Sequence, residues 1–512
     1  PQGVLKPTVQ VNPNSPSAGQ HNLFLDGSAG IQPYDDFHDM KGPMTTQTLI
    51  DIIGHEPHHW RGDRDGIEEF AGAFQGLQGD DAPLAAGPMQ QFEDFLSSLH
   101  FGPNPFRALD NSLPGGPKFV GGGTNPLLPL DGYYSNGPNG GNPSLSPRGT
   151  PLPDGNAFRG FQLYVQGNPL HTGAHPNAPE SLDNIFQCVT CHALPTGKGS
   201  IDFFNTSNGQ FQNIAPGPNG ERHTALFSTD GTGNTDGTTG SVNQGTFTIA
   251  PLRNQLDKHG FNAKLPNAST LGFGVLHDGA VDDLETFLGS SAFDMDNDQD
   301  LSDIIAFVLC INGGDFDELA TLPGAPNFFS PAPLFVLGGA GQLGPDGAES
   351  LTAHAAVGKQ LTLNSTSLTA GQQSLLDLFI ALASNNRVDL IAKGVMDGQR
   401  RGWVLQNANR FSSDQNCRPP YTNDLLALAG PGTELTFTVV PAGLGIRMGI
   451  DRDEDGSYDF TEALNGTDPA DPNSIIVGTP ASKPRSLMLM VLAVALAASV
   501  FGARWILARQ RH

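Results

Sequence analysis

The chain has 512 residues, enough for about three ordinary domains, so core volume is not limiting. Glycine (64) and proline (41) far exceed average usage and exclude a tight all-helical bundle in favour of long irregular connections. Twenty-seven basic against 52 acidic side chains leave a net charge of −25, which repels nucleic acid and anionic lipid and favours a basic partner or bound cations.

Residues 1–40, rich in Pro, Asn and Ser, read as an irregular lead-in. No signal peptide is legible and residue 1 is proline, so the N-terminus is either processed or continues upstream. A segment over 41–155 follows. In it, Gly54-His55-Glu56-Pro57-His58-His59-Trp60-Arg61 is either a loop whose aromatics pack or a set of histidines flanking a cofactor bound elsewhere. Ile67, Phe70, Ala71, Phe74 and Leu77 have the one-sided spacing of an amphipathic helix, as do Phe92, Phe95, Leu96 and Leu99 further on. Residues 104–156, dominated by Gly, Pro, Asn and Ser, predict a long loop or linker able to wrap a neighbouring domain.

Helical spacing returns over 156–166, and Cys188-Val189-Thr190-Cys191-His192 comes next. C-x-x-C-H is the attachment signature of a c-type haem. Two thiols three positions apart reach two vinyl groups of one porphyrin, and His192 is then held under the iron through a neutral ring nitrogen. A redox dithiol would follow a Val/Ile-rich strand, and none precedes Cys188. A zinc site needs two further ligands at short spacing, yet the next cysteine is Cys310. A strongly apolar helix over 301–310 is expected to cross the 156–166 helix and close the haem pocket. The sixth iron ligand stays open among Met295, His277 and His259, and an open position is the fourth option.

Cys188-x-x-Cys191-His192, then Pro251-Leu252-Arg253-Asn254, then His277-Asp278-Gly279 followed by Leu284-Glu285, resemble the di-haem cytochrome c peroxidase and MauG-like family. The resemblance covers roughly 41–310. It implies two cytochrome c-like halves, each with its own haem, one transferring electrons and the other able to reduce peroxide. Only one haem motif is present. A weak repeat sets Trp60 against His277, Ile67 against Leu284, Glu68 against Glu285 and Phe70 against Phe287. The His192-to-His277 interval, carried back from Trp60, falls before Pro1. That implies a partner haem upstream and a chain that is the C-terminal portion of a longer protein. On this reading 41–155 is a first half lacking its own haem motif, and 156–312 is the cytochrome c haem domain.

After a 313–350 linker, 351–450 reads as a small α+β module with a helix over 372–383 and short strands over 387–395, 401–406, 434–440 and 446–450. Cys310 and Cys417 are either a disulfide or two buried thiols. In the 451–480 segment, Asp451, Asp453, Asp455, Gly456, Ser457, Asp459 and Glu462 match the calcium loop D-x-D-x-D-G-x5-E. Its tail resembles dockerin or thrombospondin type-3 calcium repeats, and Asp294, Asp296, Asp298 and Asp300 form a weaker echo. The apolar run Leu487–Ala503, flanked by basic residues, spans about 26 Å as a helix and predicts a transmembrane segment over 486–508.

The expected fold is therefore mainly α with long irregular loops, plus a small α+β domain and a C-terminal transmembrane helix. The expected function is an exported, membrane-tethered c-type cytochrome of the bacterial periplasm or cell surface. It would carry electrons through one haem c, meet a basic redox partner, bind calcium and bind no nucleic acid. A peroxidase or MauG-like oxidoreductase and a calcium-dependent surface-binding protein are the alternatives.

Overall fold

The computed structural model describes residues 46–54, 58, 64, 66–137, 142–166, 188, 192, 194, 202–205, 210–213, 250–255, 274–275, 281, 283–290, 293, 295–313, 352–407, 410–417, 419 and 423–475, and every structural statement below concerns these. They fall into two units, one of 1–359 with 374–388 and one of 360–373 with 389–512.

In the first unit, α1 (Ala71–Gly76), entered through a 3-10 turn over Ile67–Phe70, packs with α2 (Ala86–Ser97). Ile67, Met89 and Leu96 are buried between them, and Phe74 meets Phe92 edge-on at 5.5 Å. The buried face of α2 is rotated from the expected one. Met89 lies inside, and Phe95 stands 58% exposed. His58 pairs with Arg64 through the backbone, its amide donating to the Arg64 carbonyl at 2.7 Å, and its ring sits 6.0 Å from Phe70. His55, His59 and Trp60 lie outside the described residues.

The core of this unit is the crossing of α3 (Ala157–Gln166) with a later helix. A short β-hairpin, β1 (Asp202–Asn205) with β2 (Gln210–Asn213), follows α3 in the chain, and then come α4 (Leu284–Leu288) and α5 (Asp298–Cys310). Helix α5 is buried along its length, so its apolar residues need not segregate to one face. It crosses α3 with backbone nearly touching backbone. A methyl group on Gly160 would lie 1.9 Å from the Asp303 carbonyl oxygen, so only glycine fits there. Phe161 and Tyr164 of α3 then close on Phe307 at 5.4 and 5.0 Å between ring centroids. Arg159 clamps the pair by bonding both Asp300 and Asp303.

The Gly/Pro/Asn-rich stretch wraps this crossing. It contributes Leu113, Leu130, Tyr133, Leu145 and Leu152 to the core cluster. Its buried polar side chains cap carbonyls that no helix bond satisfies. Asn104 donates to the Leu309 carbonyl at 2.9 Å, and Arg107 donates to that of Cys310 at 2.8 Å.

The second unit corrects the expectation of a mainly α protein. Five antiparallel strands, β3 (Gln360–Leu363), β4 (Asp389–Met396), β5 (Gln399–Asn407), β6 (Arg410–Ser413) and β7 (Leu435–Val440), form one sheet in the order β3-β7-β4-β5-β6. The reason is alternation. In β7, Leu435, Phe437 and Val439 point inward while Thr436 and Thr438 are less buried, a period-2 pattern that only a strand satisfies. Asp397-Gly398 joins β4 to β5 with both residues at positive φ, 52° and 76°, the type I′ turn that matches strand twist. Helix α6 (Ala370–Ser384) begins in this unit and continues into the first.

A second correction concerns 446–450, expected as a strand. Residues 446–449 belong to the helical turn α7 (Gly445–Gly449), and Ile450 follows as its C-cap. Leu444, Ile446 and Met448 alternate, but all three are 39–46% exposed. The contacts to the sheet come instead from backbone: Gly445 donates to Asp389 at 2.7 Å, and Lys393 donates to the Gly449 carbonyl at 2.7 Å.

The expected C-terminal transmembrane helix falls on residues 486–508. Among the described residues no helix is long and apolar enough to cross a membrane, and 486–508 lies outside them. No disulfide joins Cys310 to Cys417; Cys310 is wholly buried at the end of α5 and Cys417 is exposed.

Candidate functional site

The Cys188–His192 turn lies against the α3/α5 core. The His192 amide donates to the Cys188 carbonyl at 2.8 Å, a helical i→i+4 bond that puts both side chains on one face. Cys188 is half-buried and packs, with Leu194 and Leu252, against the hydrophobic cluster that holds Phe161, Tyr164 and Phe307. The Tyr164 hydroxyl donates to the His192 carbonyl at 2.5 Å, tying the turn to α3. Cys191 lies outside the described residues.

The ring of His192 is oriented by its Nδ1, 3.1 Å from the Ala250 carbonyl oxygen. A carbonyl can only accept, so Nδ1 carries the hydrogen, and Nε2 is the nitrogen left to serve as an electron-pair donor. That is the tautomer a metal-ligating histidine requires, with the second nitrogen held by a backbone acceptor. The segment that follows Ala250 is itself fixed. Asn254 donates to the Ile311 carbonyl at 2.9 Å just beyond α5. Buried Arg253 pairs with Asp51 (3.2 Å), donates to the Asp51 carbonyl at 2.7 Å and stacks over Phe101 at 5.5 Å. These residues fit a haem held by Cys188 and His192. Spacing alone could not have found Ala250, Tyr164 or Asp51, which act through backbone atoms or from distant sequence.

The sixth-ligand candidates divide. His277 and His259 lie outside the described residues. Met295 is 6% exposed and sits in the core cluster, with its carbonyl accepting from Asn142 at 2.9 Å. The acidic residues around Met295 in the sequence give no sign of that burial. Within the acidic echo around it, the described residues 297–300 form a helix start. Asn297 caps α5 by accepting from the Gln299 and Asp300 amides, Asp298 accepts from Ser135 at 2.7 Å, and Asp300 pairs with Arg159.

The second constellation is Asp451–Glu462, leading into α8 (Asp459–Asn465) in the second unit. Asp451, Asp453 and Asp455 each place a carboxylate oxygen within 4.8 Å of the others. The loop curls through Asx-type turns: Gly456 donates to Asp451 (3.2 Å), Asp455 to Asp453 (3.3 Å) and Ser457 to Asp455 (2.6 Å). Glu454 and Gly456 take positive φ of 61° and 93° to make the bend. Burial pushes the Asp451 carboxyl up to about 6, the Gly456 and Glu454 amides oppose the shift, and the Asp453 and Asp455 charges reinforce it. Burial likewise pushes Glu462 up to about 7, with Asp453 and Asp455 adding to it. Asp459 accepts from the Arg452 amide at 2.8 Å, which closes the loop on itself.

Set beside protein-family models, curated proteins and solved structures, the chain matches none of them.

Proposed function

We propose that the first unit is a c-type cytochrome that carries single electrons, its haem tethered by Cys188 and Cys191 with His192 beneath the iron. The observation that supports this most is the His192 ring, held at Nδ1 by the Ala250 carbonyl, with the His192 amide bonded to the Cys188 carbonyl four residues back. A haem bound there supplies a one-electron couple. The chain's own residues do the rest. Ala250 sets the tautomer and raises the basicity of Nε2. Tyr164 fixes the turn, and the α3/α5 aromatic core keeps water from one side of the site. The charge of −25 favours encounter with a basic redox partner through long-range attraction that salt weakens. The protein then works outside the cytoplasm, in a bacterial periplasm or at a cell surface.

A spectroelectrochemical titration of protein made in cells that attach c-type haem tests this. The expected result is one reversible one-electron wave, lost in His192→Ala, with no turnover of hydrogen peroxide. Absence of a wave, or peroxide turnover, would overturn electron carriage as the function.

A further inference from the structure

We infer that the Asp451–Glu462 loop is a calcium site whose ion locks helix α8 onto the edge of the five-stranded sheet. Clustered aspartates alone would not carry this. The independent observation is that buried carboxylate oxygens converge on the loop without hydrogen-bond donors. Asp451 is 3% exposed and its Oδ1 has no hydrogen-bond partner, and Glu462 is fully buried with Oε2 in the same condition. Oδ2 of Asp453 is a third such atom. A buried carboxylate oxygen without a donor is costly, and several of like charge in one place are costlier still, unless a cation replaces the missing donors.

The donor set names the ion. All the groups are oxygens: carboxylates of Asp451, Asp453, Asp455 and Glu462, with the Ser457 carbonyl in the position that such loops use. Hard oxygen ligands without imidazole or thiolate disfavour zinc and copper. A flexible loop with this many acidic oxygens suits the larger, more irregular shell of calcium over the octahedral shell of magnesium. Asp459 is committed to the Arg452 amide and serves as a loop clasp.

The lock runs through Asn416, just after β6. Its side-chain amide donates to the Gly456 carbonyl at 3.1 Å, its Oδ1 accepts from the Tyr458 amide at 2.7 Å, and its own amide donates to the Thr461 hydroxyl at 2.8 Å. Alongside, the Phe460 amide donates to the Asp414 carbonyl at 3.0 Å while its ring lies 3.8 Å below the Arg401 guanidinium. Arg401 in turn pairs with Asp414 at 2.7 Å inside the sheet unit. Metal ligation by the residues on either side of Gly456 therefore bears directly on the β5–β6 edge.

The test uses the full chain, stripped with a chelator, then titrated with calcium chloride in a calorimeter and followed by hydrogen exchange. One calcium ion is expected to bind. Calcium at a hundred times its dissociation constant is expected to slow exchange of 399–417 about a hundredfold, and magnesium far less. Asp451→Asn with Glu462→Gln is expected to abolish binding, and Asn416→Ala to keep the stoichiometry but weaken protection of 399–417. No heat at millimolar calcium, binding that survives the double substitution, or binding that leaves 399–417 unprotected would each overturn the inference.

Discussion

Gly160→Ala probes the contact on which the first unit is built. Its methyl group would sit 1.9 Å from the Asp303 carbonyl oxygen and 2.9 Å from the Phe307 Cβ. Ordinary contact begins near 3.4 Å, so α3 and α5 would have to separate by about 1.5 Å. The opposing atom is backbone in the part of α5 that is buried from Asp300 to Cys310, which cannot swing aside. Overpacking of this kind costs about 3 kcal/mol, the upper part of the usual range. That corresponds to roughly a hundredfold loss of protection in hydrogen exchange over 157–166 and 298–310. Gly87→Ala in α2 is the control. A methyl there meets nothing within 4 Å, and it should stabilise its helix by about 0.5–1 kcal/mol. If Gly160→Ala leaves exchange in α5 within twofold of the parent protein, the close crossing is refuted.

Tyr164→Phe removes the hydroxyl that holds the His192 carbonyl and should cost about 1 kcal/mol, read from denaturant unfolding of the first unit; an unchanged midpoint would count against the bond. Arg401→Met leaves Asp414 buried without its partner and should cost about 3–5 kcal/mol, whereas adding Asp414→Asn should recover much of that. Exchange over 399–413 reads both, and a single variant as stable as the parent would contradict the pairing. His354 gives a pH dependence. Burial first, then the charge of Arg387, pushes its ring down from 6.5 to about 4, with Arg107 adding and Asp110 opposing. The native ring stays neutral while the unfolded chain takes up a proton below 6.5, so stability is full above pH 6.5 and falls as pH drops toward 4. His354→Gln should flatten that slope between pH 6.5 and 4, and an unchanged slope would exclude His354 as its source.

Much of the local structure was legible where a period was clean. The apolar run of α5, the alternation in β7 and the residues of the acidic loop all stand out in the sequence. What stayed hidden depends on contacts from afar. The core residues Leu113, Leu130, Leu145 and Leu152 sit singly among glycines and prolines, with no period to mark them as buried. Leu444, Ile446 and Met448 alternate like a strand, yet the flanking glycines dock the backbone and leave those side chains exposed. β3 and β6, four residues each, are too short to declare themselves without their neighbours in the sheet. At the proposed haem site the sequence names Cys188 and His192, but the atom that orients His192 is a carbonyl, and every residue carries one.

The most direct test of the central claim is the mass of the proteolytic peptide that spans 188–192, from protein produced in cells that attach c-type haem. It should weigh the peptide plus one haem, joined through both thiols and retained in acid acetone. A peptide bearing two unmodified thiols, or a pigment that extracts into the solvent, would contradict it.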